Sequence, residues 1–272
     1  MPSNNPPPGL MLRALFQSGP ALLGIVGTAA FFILWEVVAR LEFVNPALLP
    51  PPSRVVAAAY ELVVSGELMR HLAASIWRAL LGFLFGSVTG IAVGIATARM
   101  PVFRHMSDPL LQMFRAIPSI AFVPLAIFWF GIGETSKVFL IAWGVFFPIW
   151  VNTFLGVRDC NPLLMRAAST LGAGRLQMLW SVILPGALPL ILAGLRISLA
   201  VALVLLVAAE LAGATAGVGY FIQISAQVFR VDQMFVGLLT LGLLGFCADL
   251  LFVTAVQLLF PWYGAESRAA RR

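Results

Sequence analysis

Residues 186 to 212 read GALPLILAGLRISLAVALVLLVAAELA, a run whose only charged side chains are Arg196 and Glu210. A helix of about 20 such residues is long enough to cross the hydrocarbon core of a bilayer. Further runs of this kind lie at about 21–41, 73–98, 109–130, 137–156 and 235–260. The chain as a whole has 272 residues, 61% hydrophobic and 10% charged, whereas a soluble domain carries roughly a quarter charged residues. Inside lipid every backbone N–H and C=O must be satisfied within the protein, and contiguous apolar runs of this length do so as helices. The sequence therefore predicts an all-α integral membrane protein with about six transmembrane helices.

The segments between the runs set the organisation. MPSNNPPPG opens a proline-rich start, expected to be disordered over 1–20. The run after it is too long, and lacks the small-residue cleavage site, for a removable signal peptide, so it reads as a mature span. Residues 21–260 form one membrane domain, and 261–272 a basic tail containing AESRAARR. In LPPPSRVVAAAYELVVSGELMRH, three prolines precede Ser53, which predicts a short amphipathic helix over 53–64, capped by the serine hydroxyl and lying at the membrane surface. GIGETS alone separates the third and fourth runs, which predicts a tight antiparallel pair. The net charge of +6 comes almost wholly from arginine, Lys137 being the one lysine. Those arginines lie between apolar runs and not on one basic face, which argues against nucleic-acid binding. With both termini in the cytoplasm, Arg13, Arg99, Arg104, Arg158, Arg166, Arg175, Arg268, Arg271 and Arg272 fall inside, against Arg40, Arg54, Arg70, Lys137 and Arg230 outside. The positive-inside bias favours that orientation.

Enzyme chemistry finds little support. A phosphate-cradling loop needs a lysine followed by Ser or Thr, but Val138 follows Lys137. There is no G-x-S-x-G nucleophile elbow and no H-E-x-x-H zinc helix. Cys160 and Cys247, like His71 and His105, are too far apart for metal-ligand spacing. No cofactor is expected in this chain. A charge at the centre of a transmembrane helix costs about 2.5–3.5 kcal/mol on insertion scales, so such groups are expected to face protein or a wet cavity. Arg78 and Glu36 lie near span ends, within reach of the interface. Arg115 precedes Pro118 and Pro124, which are expected to kink the third run. With Glu210 and Asp249, Arg115 and Pro118 are candidates to line a translocation path, and ion pairing is the structural alternative for the charged three.

Between the fourth and fifth runs, residues 165–189 read MRAASTLGAGRLQMLWSVILPGALP. Ala167 and Ala168 let another surface approach closely, and Gly172 can turn the chain between two short helices. Pro185 suits the first turn of the fifth span. An ordinary cytoplasmic connector would satisfy the same local physics. The pattern, however, resembles the coupling motif of the membrane subunits of bacterial ABC importers, E-A-A, three residues, G, nine residues, I-x-L-P. Ala167, Ala168, Gly172, Leu184 and Pro185 match in register, Val182 stands for the isoleucine, and Arg166 replaces the glutamate. ELMRHLAASIWRALLGFLFG, QMFRAIPSIAFVPLAIFWFGIGETSKVFLIAWGVFFPIWVNTFLGVR and LPGALPLILAGLRISLAVALVLLVAAELAGATAGVGYFI are similar to the nitrate, sulfonate, taurine and bicarbonate branch of these permeases. That branch is also similar to permeases for pyrimidine vitamin precursors, riboflavin and aromatic acids.

The resemblance implies a type I ABC importer transmembrane domain in the bacterial inner membrane, with a coupling loop over about 158–185. It implies a second permease copy, cytoplasmic ABC ATPase subunits that hold the ATP and magnesium, and a periplasmic solute-binding protein. The solute it implies is small and anionic, such as sulfonate, nitrate or taurine. An ion-driven secondary transporter or channel is the alternative, and it would expect broken helices and acidic sites at the bilayer midplane.

Overall fold

The computed structural model describes residues 20–41, 45 and 48–260; the expected disordered start, up to residue 19, and the basic tail lie outside these, and Pro20 begins a helix. Among the described residues there is no strand, and every expected run but the third, about 109–130, coincides with one helix; the third is divided between two. Helix α1 spans Pro20–Arg40, α2 Pro52–Val64, α3 Glu67–Arg99, α4 Pro101–Ala116, α5 Val123–Phe130 and α6 Glu134–Arg158. Then come α7, Pro162–Thr170, α8, Arg175–Met178, α9, Leu184–Leu211, α10, Val218–Gln227, and α11, Val231–Leu259. Helices α3, α6, α11 and the continuous stretch Arg175–Leu211 are each long and apolar enough to cross a membrane, and α4 with α5 adds a fifth if that bent pair is one span, so four to five candidate spans among the described residues stand against the six expected.

Helix α6 is the centre of the bundle. Gly82, Gly86, Gly90 and Gly94 recur every four residues and so form one stripe along α3. A β-carbon on Gly86 would lie 2.6 Å from the carbonyl oxygen of Ala142, and one on Gly94 2.6 Å from Cβ of Thr153. Gly82 meets Ile141, Gly86 meets Val145, Gly90 meets Ile149 and Gly94 meets Thr153, so α3 and α6 run parallel in register. On its other side α6 meets α9 antiparallel, with Leu205 seated over Gly144, Gly194 over Asn152 and Ala187 beside Gly156. Between apolar helices in lipid there is no hydrophobic drive to associate, so close backbone approach through small residues supplies the van der Waals contact that holds them. Ile141, Val145, Ile149 and Leu206 are fully enclosed as a result.

The expected antiparallel pair is only partly present. The turn after α5 is tight, with Gly131 at φ +75°, and α5 packs on α6. Helix α4, in contrast, departs at 93° from the segment 119–130. Proline disfavours the α conformation in the residue before it; Ile117 is extended at ψ 123° ahead of Pro118, itself at ψ 125°, and the helix stops there. The kink expected at Pro118 is thus a full break, and the main partners of α6 are α3 and α9.

Helix α2 buries Val55, Ala58 and Leu62 against Phe221 and Val236, as its amphipathic pattern predicts. Its N-terminus differs from expectation: Ser53 is the second residue of the helix and makes no side-chain cap. Its N–H and hydroxyl instead donate to the Glu36 carboxylate of α1, at 3.0 and 2.8 Å. A carboxylate beside the free N–H groups of a helix start is favourable, and the prolines before Ser53 leave that position open to α1.

Gly86→Val places branched carbon against the Ala142 backbone, which cannot move without shifting α6. Overpacking of this kind costs about 1–3 kcal/mol or more. The expected outcome is a lower melting temperature in detergent than for Leu84→Val, a control at an exposed position of the same helix.

Candidate functional site: coupling hairpin and charged clusters

The α7–α8 hairpin is built by local signals. Asn161 caps α7, its side-chain oxygen accepting from the Leu163 N–H at 2.9 Å, and Pro162 occupies the first turn. At the other end Gly172 takes φ +82°. Its N–H donates to the Ser169 carbonyl and that of Ala173 to the Ala168 carbonyl, both at 3.0 Å. This is a Schellman cap, and its left-handed residue strongly favours glycine. Nothing crowds Gly172, so backbone conformation and not space is the reason for glycine here.

Neither α7 nor α8 buries a single residue. Arg166 and Ala167 are exposed, Ala168 is half-buried, and Leu163, Leu171 and Leu176 project outward, Leu171 at 88% exposure. The hairpin is anchored from behind: Ile183, Ala187 and Cys160 form a core with Val157, against which Met165, Met178, Val182 and Leu184 pack. The π-helical turn Leu179–Ile183 precedes Pro185, and the Leu184 N–H reaches the Leu179 carbonyl. Pro185 lies in the first turn of α9, as expected, and the widened turn ahead of it joins α8 to α9 in one helical path from Arg175 to Leu211 past a residue with no N–H to give.

At the opposite end of α6, charges converge. Arg78 does not reach for an interface: it is 3% exposed. It donates from Nε and Nη2 to the two Glu134 carboxylate oxygens at 2.5 and 2.7 Å, and from Nη1 to Glu210 at 2.8 Å and to the Ala216 carbonyl at 2.6 Å. Glu210, fully enclosed, also accepts from the Ser75 hydroxyl at 2.7 Å and the Gly219 N–H at 2.8 Å. Ser75 in turn accepts from the Val218 N–H, and His71 Nδ1 from the Gly217 N–H. A β-carbon on Gly217 would run into the Glu210 carboxylate and one on Gly219 would crowd it at 3.1 Å, which explains these two glycines of AGATAGVGY: the chain wraps that carboxylate. Lys137 donates to the Gly133 carbonyl at 2.8 Å and completes the cluster.

Asp249 forms a second pair. Arg196 Nε and Nη2 donate to its two oxygens at 2.7 and 2.8 Å, a fork-to-fork geometry between α9 and α11. Arg115 and Pro118 are exposed at the α4 break. Among the described residues no hydrogen bond or ion pair joins Arg115, Glu210 and Asp249 to one another. The structure also adds Arg78, Glu134, Ser75 and His71, which sequence reasoning missed as a group. The available signal was spacing: His71, Ser75, Arg78 and Gly82 continue the stripe of Gly86, Gly90 and Gly94 at intervals of three or four.

Removing one member of a buried pair leaves an uncompensated charge and costs about 3–5 kcal/mol. Arg78→Met is expected to reduce the folded yield in detergent sharply, whereas Arg54→Met, which removes a long contact at 3.8 Å from an exposed arginine to Asp232 and keeps Arg230 paired with that carboxylate, leaves it unchanged.

The arrangement has known counterparts. The chain is 39% identical to the taurine transport system permease protein TauC of Escherichia coli, over 88% of this chain and 89% of that protein. It is 40% identical to the putative aliphatic sulfonates transport permease protein SsuC of Bacillus subtilis, over 88% and 87%. Among solved structures it superposes on the inward-facing MetNI methionine ABC transporter with a TM-score of 0.60 at 21% identity, covering 71% of this chain and 96% of that one. That likeness supports the fold. An ion-driven carrier without an ATPase is set aside by these relationships, since this class of permease works with a separate ATPase subunit and a binding protein. Residues 86–261 match the binding-protein-dependent transport system inner membrane component family; the chain belongs to it, as the membrane-spanning permease subunit of an ABC importer.

Proposed function

We propose that this permease passes a small anion, a sulfonate such as taurine being the first choice, from a periplasmic binding protein into the cytoplasm, working as a homodimer with both termini inside. The relatives named for taurine and aliphatic sulfonates, each matching close to nine-tenths of the chain, support the solute class. The arginine distribution between inner and outer loops supports the orientation. ATP and magnesium belong to the ATPase subunits in this reading.

The observation that carries the mechanism is the hairpin with no buried residue that presents Leu163, Leu171 and Leu176 outward. A cluster of exposed leucines on a rigidly capped turn beyond the membrane marks a protein contact. In this reading Arg166, Ala167, Ala168 and Gly172 sit in a cleft of the ATPase, and Leu184 and Pro185 lead its motion into α9. ATP binding favours one membrane arrangement by its differential affinity for the two. Arg166, in place of the family's glutamate, calls for a carboxylate or carbonyl partner, because a guanidinium stays charged and has only donors to offer. Arg115 and Pro118, at the α4 break, are placed on the solute's route, while Glu210 holds the far end of the bundle together.

The test is ATP-driven uptake of ³⁵S-labelled taurine and alkanesulfonates by the complete complex in proteoliposomes. Accumulation is expected with the binding protein present and none without it. A binding protein selective for a cation would overturn the anion assignment. Gly172→Leu forces a side chain into a left-handed turn at a cost of about 1–2 kcal/mol. That variant is expected to lower uptake by about tenfold or more while Gly174→Ala, at φ −68°, does not. Equal uptake by both would remove the hairpin from the coupling path.

A further inference from the structure

We propose that the Arg196–Asp249 pair lines the solute's route, with Arg196 exchanging the Asp249 carboxylate for the sulfonate of a passing anion. This rests on the anion-import reading above. Arg196 lies twelve residues after Leu184, where the π-turn gives way to α9, and Asp249 ten residues before the end of α11, which at 1.5 Å per residue puts them about 18 and 15 Å from those two points. A bilayer core is about 30 Å thick, so the pair sits near its middle.

The chain itself supplies the comparison. Arg78, whose work is structural, is sealed: 4% of its side chain is exposed, and it is tied to two carboxylates and a backbone carbonyl. Arg196 and Asp249 expose 56% and 46% of their side chains. Lipid is the one environment that position excludes, because a half-exposed ion pair at mid-bilayer depth requires water or protein around it. The geometry selects the occupant. Asp249 presents two oxygens to the guanidinium fork, and any two oxygens of a sulfonate present the same pattern. An arginine already paired by a carboxylate gives an anion a place to rest without a deep trap: when the sulfonate moves on, Asp249 returns.

Two measurements on the complete complex in proteoliposomes test this. Ala200 lies one turn from Arg196 on the exposed face of α9. In a Cys160→Ser, Cys247→Ser background that retains uptake, Ala200→Cys is expected to react with the membrane-impermeant anionic probe 2-sulfonatoethyl methanethiosulfonate. Reaction only with a lipid-soluble maleimide, or with neither reagent, would overturn the proposal. The double variant Arg196→Met, Asp249→Leu removes both charges together and leaves no orphan. It is expected to keep ATPase co-purification and binding-protein-stimulated ATP hydrolysis while sulfonate uptake falls by about hundredfold. Uptake within about twofold of the parent would make the pair structural and end the proposal. Should the double variant fail to assemble, Arg196→Lys decides: charge without the fork is expected to slow uptake about tenfold in an assembled complex, and undiminished uptake is the contrary result. Failure of the anion-import reading is separate, since it shows as no anion uptake by the unaltered complex.

Discussion

Helix α6 is held between α3 and α9 at separations that only glycine permits, and the rest of the molecule is arranged by that contact. The stripe of α3 that carries Gly82 to Gly94 continues backward through Arg78, Ser75 and His71. The register that seats glycine against Ile141 therefore also delivers the Arg78 guanidinium to Glu134, in the first turn of α6. Slipping α3 by one turn would leave Arg78 buried without its carboxylate. Packing and electrostatics here select the same register, so each penalises errors in the other.

The two ion-pair systems show one residue type used in two ways. Glu210 accepts from Ser75, Arg78 and the Gly219 N–H, and Gly217 and Gly219 lie against its carboxylate. Such a cluster joins the ends of α3, α6 and α9 to the start of α10. Arg196 and Asp249 have the same bidentate chemistry but no comparable enclosure. Burial, and not charge, separates the sealed cluster from the accessible pair, and only the folded arrangement discloses it.

How much of this could be read in advance varied with the origin of each feature. Helix positions follow from apolar run length, which lipid imposes one segment at a time, so they were legible. The Gly172 turn was legible too, because a left-handed cap is a local requirement. Less accessible was the partner of α6: the short GIGETS turn pointed to the neighbouring run, whereas α3, parallel and more distant in sequence, won through its glycine stripe. Ser53 looked like a cap because caps are local, yet a carboxylate from another helix took that role. Glu210 was visible as a costly charge, but its wrapping by Gly217 and Gly219 depends on a loop folding back, which spacing alone does not express.

The unbroken helical path from Arg175 to Leu211 has a mechanical consequence. At 37 residues it is a rod about 55 Å long, nearly twice the thickness of the hydrocarbon it crosses. One end carries the exposed Leu176 of the hairpin, and the other carries Glu210. A rod of that length swings its far tip by roughly 1 Å for each degree of tilt. A small tilt at one end of such a rod thus becomes a displacement of several ångströms at the other.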